Sequence, residues 1–483
     1  MNIILLIGIP GSGKSYFAKK YSKENNIKIV STDWVRANYK GIDEKDIWPM
    51  VYKELGKNIE KGEDVIFDAT SATPKVRTRL INYILLLTGY KHKKDYEIKA
   101  LYFPTGSNTA IKRVDKRNSL PGELFIPLDV IPSYGKTLIP PTYEENFNES
   151  ILMTNAKDLI GCYGDSTYRG YAFYYKDPKN FDEELEEYSG FSDITDYTPV
   201  KEDACFRLAS VSKQFIAYGI CNLIHDNLLS LDDKLYDMFA NMPEYTKNIT
   251  IKNLLNHTSG IRDYDEEMEH TDEQVFDDDV LEWIKKDTVD TYFPVGSKYQ
   301  YSNTAYILLG LIIKEVSKES IGDYLDKVIF KPLGMTDSKA DYEGVTEFNH
   351  RSYGHKLING KLEKRDQYWC SATIGDGGIY SNIPDLKKWL KHIESLDKMD
   401  YPFNLMVEPN VINGVNTEYG FGLRIVNVGG HKLIYHNGST IGTHTSIGFI
   451  KDLDVEFILL MNEDSCDASK FIENIKRKYS SYE

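Results

Sequence analysis

At 483 residues the chain exceeds what one hydrophobic core sustains, so two or three domains are expected. With 41% hydrophobic and 27% charged residues and no low-complexity tract, the composition is that of an ordinary globular protein and speaks against disorder. Residues 1 to 150 hold 23 Lys+Arg against 18 Asp+Glu, leaving 35 against 55 in the remainder; net charges of +5 and −20 place a boundary near residue 150 and suit a first half that handles phosphate, without amounting to a nucleic-acid signature.

The five cysteines (Cys162, Cys205, Cys221, Cys370, Cys466) form no CxxC or Cys/His cluster, which speaks against a disulfide framework or a zinc site and for reduced thiols. No run of 18 apolar residues occurs, and the apolar opening lacks a basic leader, so a cytoplasmic protein without a membrane partner is expected.

In chain order, Ile3 to Ile7 reads as a buried strand and Lys14 to Tyr21 as a helix, with Gly8-Ile9-Pro10-Gly11-Ser12-Gly13-Lys14-Ser15 between them. Glycines at 8, 11 and 13 let the backbone N–H groups converge on a nucleotide phosphate at the helix N-terminus. Ser12 belongs to that cradle, Lys14 can reach β and γ oxygens, and Ser15 can ligate Mg²⁺. A second strand, Lys28 to Ser31, leads to Asp33 and Arg36, and a third, Val65 to Phe67, ends in Asp68. Both carboxylates fall where open parallel sheets place ligands. Asp33 can deprotonate an acceptor hydroxyl or cap the next helix, Arg36 can fix an acceptor phosphate, and Asp68 is placed with the substrate-binding residues. Arg113 and Arg117, spaced i, i+4, suit a lid helix that stabilises charge on the transferred phosphoryl group.

The ordered set Gly8 to Ser15, Asp33-x-x-Arg36, Val65 to Thr70, Arg113/Arg117, Ile126-Pro127 and Pro140 to Glu145 resembles the P-loop kinases similar to the 5′-polynucleotide kinase domain, over residues 1–150. The resemblance implies ATP and Mg²⁺ at Lys14 and Ser15, Asp33 as general base, Arg36 on the acceptor, and Arg117 or Arg113 as the lid arginine. Ser71 stands where that family often has Asn, and Leu124-Phe125 where a basic residue is common; the acceptor is a 5′-OH nucleic acid or a small alcohol.

In the second half, Ser-x-x-Lys occurs three times: Ser133–Lys136, Ser210–Lys213 and Ser395–Lys398. Only Ser210 precedes an apolar helical run, Phe215 to Ile220, which would bury Lys213 one turn from Ser210 and lower its pKa toward a usable amine. Three Tyr-x-Asn tripeptides follow, at Tyr301-Ser302-Asn303, Tyr380-Ser381-Asn382 and Tyr435-His436-Asn437. His436-Asn437-Gly438-Ser439 leads into a strand candidate around Ser446 to Ile450, where glycine permits close substrate approach.

With Leu254 to Ile261, Lys331 to Met335 and Gly377 to Ser381, these blocks resemble, over about 165 to 463, the serine β-lactamase and penicillin-binding-protein superfamily, closest to class C and its esterase or D-aminopeptidase relatives. The resemblance implies Ser210 as nucleophile, Lys213 as its activator and Tyr301 as general base with Lys213. It further implies Asn303 on the substrate amide, the N–H groups of Ser210 and Ser439 as oxyanion hole, and His436 as catalytic where many members carry lysine. His257 reads as structural.

The expected architecture is α/β: a parallel-sheet kinase domain at 1–150 and, at 160–483, a hydrolase domain with an antiparallel sheet flanked by helices. Asp177 to Asp196 reads as an acidic, irregular connection between early strands. The expected function is bifunctional, with a small acylated molecule or peptide at the second site. The alternatives are a small-molecule kinase fused to an esterase or peptidase, and a chain in which one module only senses ATP or a ligand.

Overall fold

A computed structural model describes residues 1–88, 96–155, 157–160, 167–269, 273–286, 289–340, 348–464 and 467–480; Cys162 and Cys466 lie outside them. The chain forms two compact units.

The first unit is built on five parallel strands: β1 (Asn2–Ile7), β2 (Lys28–Ser31), β3 (Val65–Asp68), β4 (Glu97–Tyr102) and β5 (Glu149–Leu152), ordered β2-β3-β1-β4-β5. β1 is apolar from Ile3 to Ile7 because both its faces are covered. Ile3 and Leu5 join a core with Val51, Leu55 and Ile84, whereas Ile4 and Leu6 join one with Ala18, Ile66 and Phe103. Around the sheet lie α1 (Lys14–Asn25), α2 (Thr32–Asn38), α3 (Glu44–Lys61), α4 (Pro74–Leu87), α5 (Ser107–Asn118) and α6 (Val130–Thr137). Arg77 of α4, fully buried, pairs with both carboxylate oxygens of Glu145 at 2.6 Å and donates to the carbonyls of Ser71, Ile139 and Pro140. The Pro140 to Glu145 block is thus an internal clasp.

The units do not divide at a single point: Asp182–Phe191 and Asp196–Lys201 belong with residues 1–171. The acidic stretch read as irregular contains strands Leu185–Ser189 and Phe191–Asp193, and charge explains where it goes. Glu183 pairs with Arg113, Glu184 with Lys112 at 3.3 Å and Asp182 with Lys116 at 3.3 Å, all on α5. The backbone then zips alongside, with Gly106 N–H donating to Glu186 O at 2.7 Å and Tyr188 N–H to Pro104 O at 2.9 Å.

In the second unit an antiparallel run of β7 (Arg424–Val428), β8 (His431–Thr440), β9 (Thr443–Ile450) and β10 (Val455–Met461) is followed in the sheet by β6 (Tyr171–Lys176). The buried helices α7 (Lys213–His225) and α8 (Asn303–Ser317) and the amphipathic α9 (Ala468–Ser480) accompany it. Among the described residues no helix is long and apolar enough to cross a membrane, and Cys205, Cys221 and Cys370 are free thiols.

Candidate active sites

The loop between β1 and α1 is held open by its glycines. Gly11 has φ +82°, and a Cβ there would stand 2.5 Å from Ala110 O; Gly13 has φ +97° and opens onto free space. No side chain caps the start of α1, so its first N–H groups are available to an anion. Lys14 Nζ donates to Ile9 O at 2.8 Å and Ser12 Oγ at 3.4 Å. Burial lowers the pKa of this amine to about 8, with Asp68 opposing and Arg117 reinforcing the shift.

The structure separates the two arginines of α5. Arg117 acts electrostatically on Lys14 and keeps a buried Nε without a hydrogen-bond partner among the described residues, while Arg113 is engaged by Glu183. The orphaned guanidinium nitrogen, the uncapped helix and the glycine cradle together fit a polyphosphate. Asp68 lies against Lys14 and Ser15, and burial raises its pKa against the pull of both. It therefore accompanies the phosphate loop, although the sequence grouped it with substrate contacts. Ser31, not Asp33, caps α2, by accepting from Trp34 N–H at 2.9 Å. That leaves the Asp33 side chain 64% exposed and paired with Arg36 at 3.2 Å, and Arg36 also forms a two-pronged pair with Glu44 at 3.0 and 3.1 Å.

In the second unit Ser210 stands in a 3-10 turn, Ala209–Ser212, immediately before α7. Lys213 Nζ is fully buried and donates to Ser210 Oγ at 3.0 Å, Asn303 Oδ1 at 2.8 Å and Asp376 O at 2.8 Å. Burial lowers its pKa to about 8, although Asp376, Asp263 and Asp265 pull the other way. The other two Ser-x-x-Lys serines, Ser133 and Ser395, are exposed.

The Tyr301-Ser302-Asn303 triplet owes its spacing to a helix start. Ser302 caps α8 by accepting from Ala305 N–H, Asn303 opens the helix, and Tyr301 enters the site. The second triplet is structural, since Asn382 caps helix Ile383–Ile393. Tyr301 Oη is buried without a partner in hydrogen-bonding geometry among the described residues, and its ring lies 4.9 Å from Lys213 Nζ. Burial pushes its hydroxyl far above the usual range, against Ser210 and Arg424, so the resting group is a neutral phenol.

His436 is held at both ring nitrogens. Nδ1–H donates to Asn437 O at 2.7 Å, which leaves Nε2 to accept from the Tyr419 hydroxyl at 3.0 Å. Burial keeps its pKa far below the usual value. The expected catalytic histidine is thus a neutral wall residue whose lone pair is already used. Gly438 passes over the nucleophile turn, where a Cβ would stand 2.2 Å from Leu208 O; this sets the backbone of Gly438–Ser439 beside Ser210. His257 is internal, accepting from Ser302 N–H at 3.1 Å.

Asn303, read as the substrate-amide holder, has both ends engaged: Oδ1 takes Lys213 and Nδ2 donates to Asp265 Oδ2 at 3.0 Å. Sequence reasoning missed Asp263, Asp265, Asp376, Tyr419 and Arg424. Asp263 and Asp265 follow the Leu254 to Ile261 block, and Asp376 directly precedes Gly377-Gly378, so adjacency was their signal. Arg424, whose guanidinium lies 5.8 Å from the rings of Tyr301 and Tyr419, carried none.

Comparison with known proteins defines both modules. Residues 168–477, more than half of the chain, match the β-lactamase family model, and the protein belongs to that family; residues 3–131 match the AAA domain model, a kinase-like nucleotide-binding fold. The chain is 27% identical over 295 residues to penicillin-binding protein 4* of Bacillus subtilis, covering 57% of this chain and 64% of that protein. It is 27% identical over 269 residues to a D-aminopeptidase of Brucella anthropi, covering 53% and 49%. It therefore spans half to two thirds of these relatives' length. Among solved structures, a penicillin-binding protein homologue from Pyrococcus abyssi superposes with a TM-score of 0.53 at 25% identity, covering 64% of this chain and 74% of that one. A D-amino acid amidase from Ochrobactrum anthropi SV3 gives 0.53 at 23% identity, covering 64% and 95%, a likeness of fold.

Proposed function

We propose that the chain is a bifunctional enzyme: a serine hydrolase that cleaves a small ester or amide through an acyl-enzyme, joined to a P-loop kinase that phosphorylates a hydroxyl. The observation that carries the first activity is the 3.0 Å contact between Ser210 Oγ and the buried, pKa-lowered amine of Lys213. Neutral Lys213 takes the hydroxyl proton as Oγ bonds to the acyl carbon. The N–H groups of Ser210 and Ser439 stabilise the resulting oxyanion. Tyr301, a phenol at rest, passes the proton from Lys213 to the leaving amine or alcohol, and water then regenerates Ser210 by the reverse path. In this division Lys213 is the base and Tyr301 the relay.

Names of the relatives direct the substrate test to D-amino-acid derivatives. Hydrolysis of D- and L-aminoacyl p-nitroanilides and of p-nitrophenyl esters is the assay; turnover of any of these that disappears in Ser210→Ala supports the reading, and turnover unchanged in that variant overturns it.

For the first unit, the unpartnered Arg117 Nε beside Lys14 favours triphosphate binding with phosphoryl transfer. Mg²⁺, held by Ser15 and Asp68, would neutralise phosphate charge. Asp33 takes the acceptor proton, and Arg36 exchanges its exposed carboxylate partners for an acceptor phosphate at small cost. Availability of ATP makes the cytoplasm the setting of this reading. Transfer of labelled γ-phosphate to a 5′-OH oligonucleotide, lost in Asp33→Ala, supports the polynucleotide acceptor; transfer to small alcohols alone replaces it with a small-molecule kinase.

A further inference from the structure

The contacts around Lys213 run one step beyond the residues that touch Ser210. Lys213 Nζ donates to Asn303 Oδ1, and Asn303 Nδ2 in turn donates to Asp265 Oδ2 at 3.0 Å. An amide presents an acceptor at one end and donors at the other, so its orientation is decided by what stands at each end. Asp265, able only to accept when ionised, admits one orientation: nitrogen toward itself, oxygen toward the lysine. Its second oxygen is buried and accepts from no other side chain among the described residues.

We propose that Asp265 is a positioning residue for the acylation step, which fixes the Asn303 amide so that Lys213 finds an acceptor and which sets the proton affinity of Lys213 through that bridge. The proposal rests on the reading of Lys213 as the base.

Two further observations support it. Asp263 accepts from the N–H groups of Asn303 and Thr304 at 2.9 Å and so pins the start of α8, while the Asn303 side-chain nitrogen goes to Asp265. Asp376, Asp263 and Asp265, in that order, oppose the effect of burial on Lys213, while burial, the Asn303 bond and Asp376 all act on Asp265 itself. The other groups facing Lys213 are Asp263, the rings of Tyr301 and Tyr306, and, electrostatically, His257 and His436; Cys370 faces Asp265. None of these bridges to the lysine through an amide.

The test uses the full-length protein and a fluorophosphonate, which reports Ser210 activation without a known substrate. The rate of labelling is measured from pH 6 to 10. Asp265→Asn removes the charge that favours the ammonium, so the pH at which labelling reaches half its plateau is expected to fall by about one unit. The plateau is expected to fall about tenfold as the amide loses its fixed orientation. Asn303→Ala should lower the plateau similarly, and the double variant no further, because Asp265 acts through Asn303. Asp265→Ala, a second removal of the same charge, must move the midpoint in the same direction, and Asp265→Glu should restore it in part. A midpoint unmoved in both Asp265→Asn and Asp265→Ala, or plateau losses that multiply in the double variant, overturns the proposal. Failure of the underlying reading looks different: wild-type protein then shows no label on Ser210 at any pH.

Discussion

Lys213 carries the sharpest quantitative expectation. An amine with the ordinary value of 10.5 is about 0.03% neutral at pH 7, whereas one at about 8 is about 9% neutral, so burial raises the competent fraction roughly 300-fold. The neutral form grows as pH rises, so fluorophosphonate labelling of Ser210 should climb about tenfold per unit below pH 8 and level off above it. Lys213→Arg keeps a cation of similar reach that does not deprotonate; labelling should fall by about 10²- to 10⁴-fold and lose the pH dependence. The assay is stopped-time labelling with gel fluorescence across pH 6 to 10. A wild-type rate that still climbs about tenfold per unit between pH 9 and 10, or a Lys213→Arg rate within tenfold of wild type at pH 8, refutes the assignment of Lys213 as the base.

Other expectations follow from the same contacts. Arg77→Met leaves Glu145 buried without its partner, a loss of about 3–5 kcal/mol; calorimetry should show the first unit's transition roughly 6–20 °C lower, and a fall under 2 °C would deny the clasp its role. Gly438→Ala sets a Cβ 2.2 Å from Leu208 O and 2.4 Å from Thr445 Oγ1, so β8 must shift at a cost of about 1–3 kcal/mol and Ser210 labelling should drop at least about tenfold; unchanged labelling contradicts the packing. Arg117→Ala should weaken ATP binding about tenfold by titration calorimetry while Arg113→Ala changes it less than about twofold, and the reverse order would return the lid role to Arg113.

What was legible in the sequence was local. Ile3 to Ser15 announced its strand, loop and helix because an unbroken apolar run and glycines at fixed spacing each have one structural use there. Ser210–Lys213 was separable from its two exposed counterparts because only it began an apolar helix. The surroundings of Lys213 were hidden for a physical reason: Asp263 and Asp265, Asn303 and Asp376 come from three distant segments, and each acid alone resembles a loop residue facing water. The same holds for α5, where i, i+4 spacing puts Arg113 and Arg117 on one face and only Glu183, 70 residues later, shows which is engaged. The rings of His436 and Tyr301 lie 6.1 Å apart, and the bond from Tyr419 to His436 could not be read from either residue.

The central claim is that Ser210 is the nucleophile. Trypsin should release it in the peptide Leu208–Lys213, which also contains Ser212. After fluorophosphonate treatment of the intact protein, tandem mass spectrometry of that peptide should place the single adduct on Ser210, with no adduct in Ser210→Ala. An adduct on Ser212 or elsewhere, or labelling that survives in Ser210→Ala, would contradict the account.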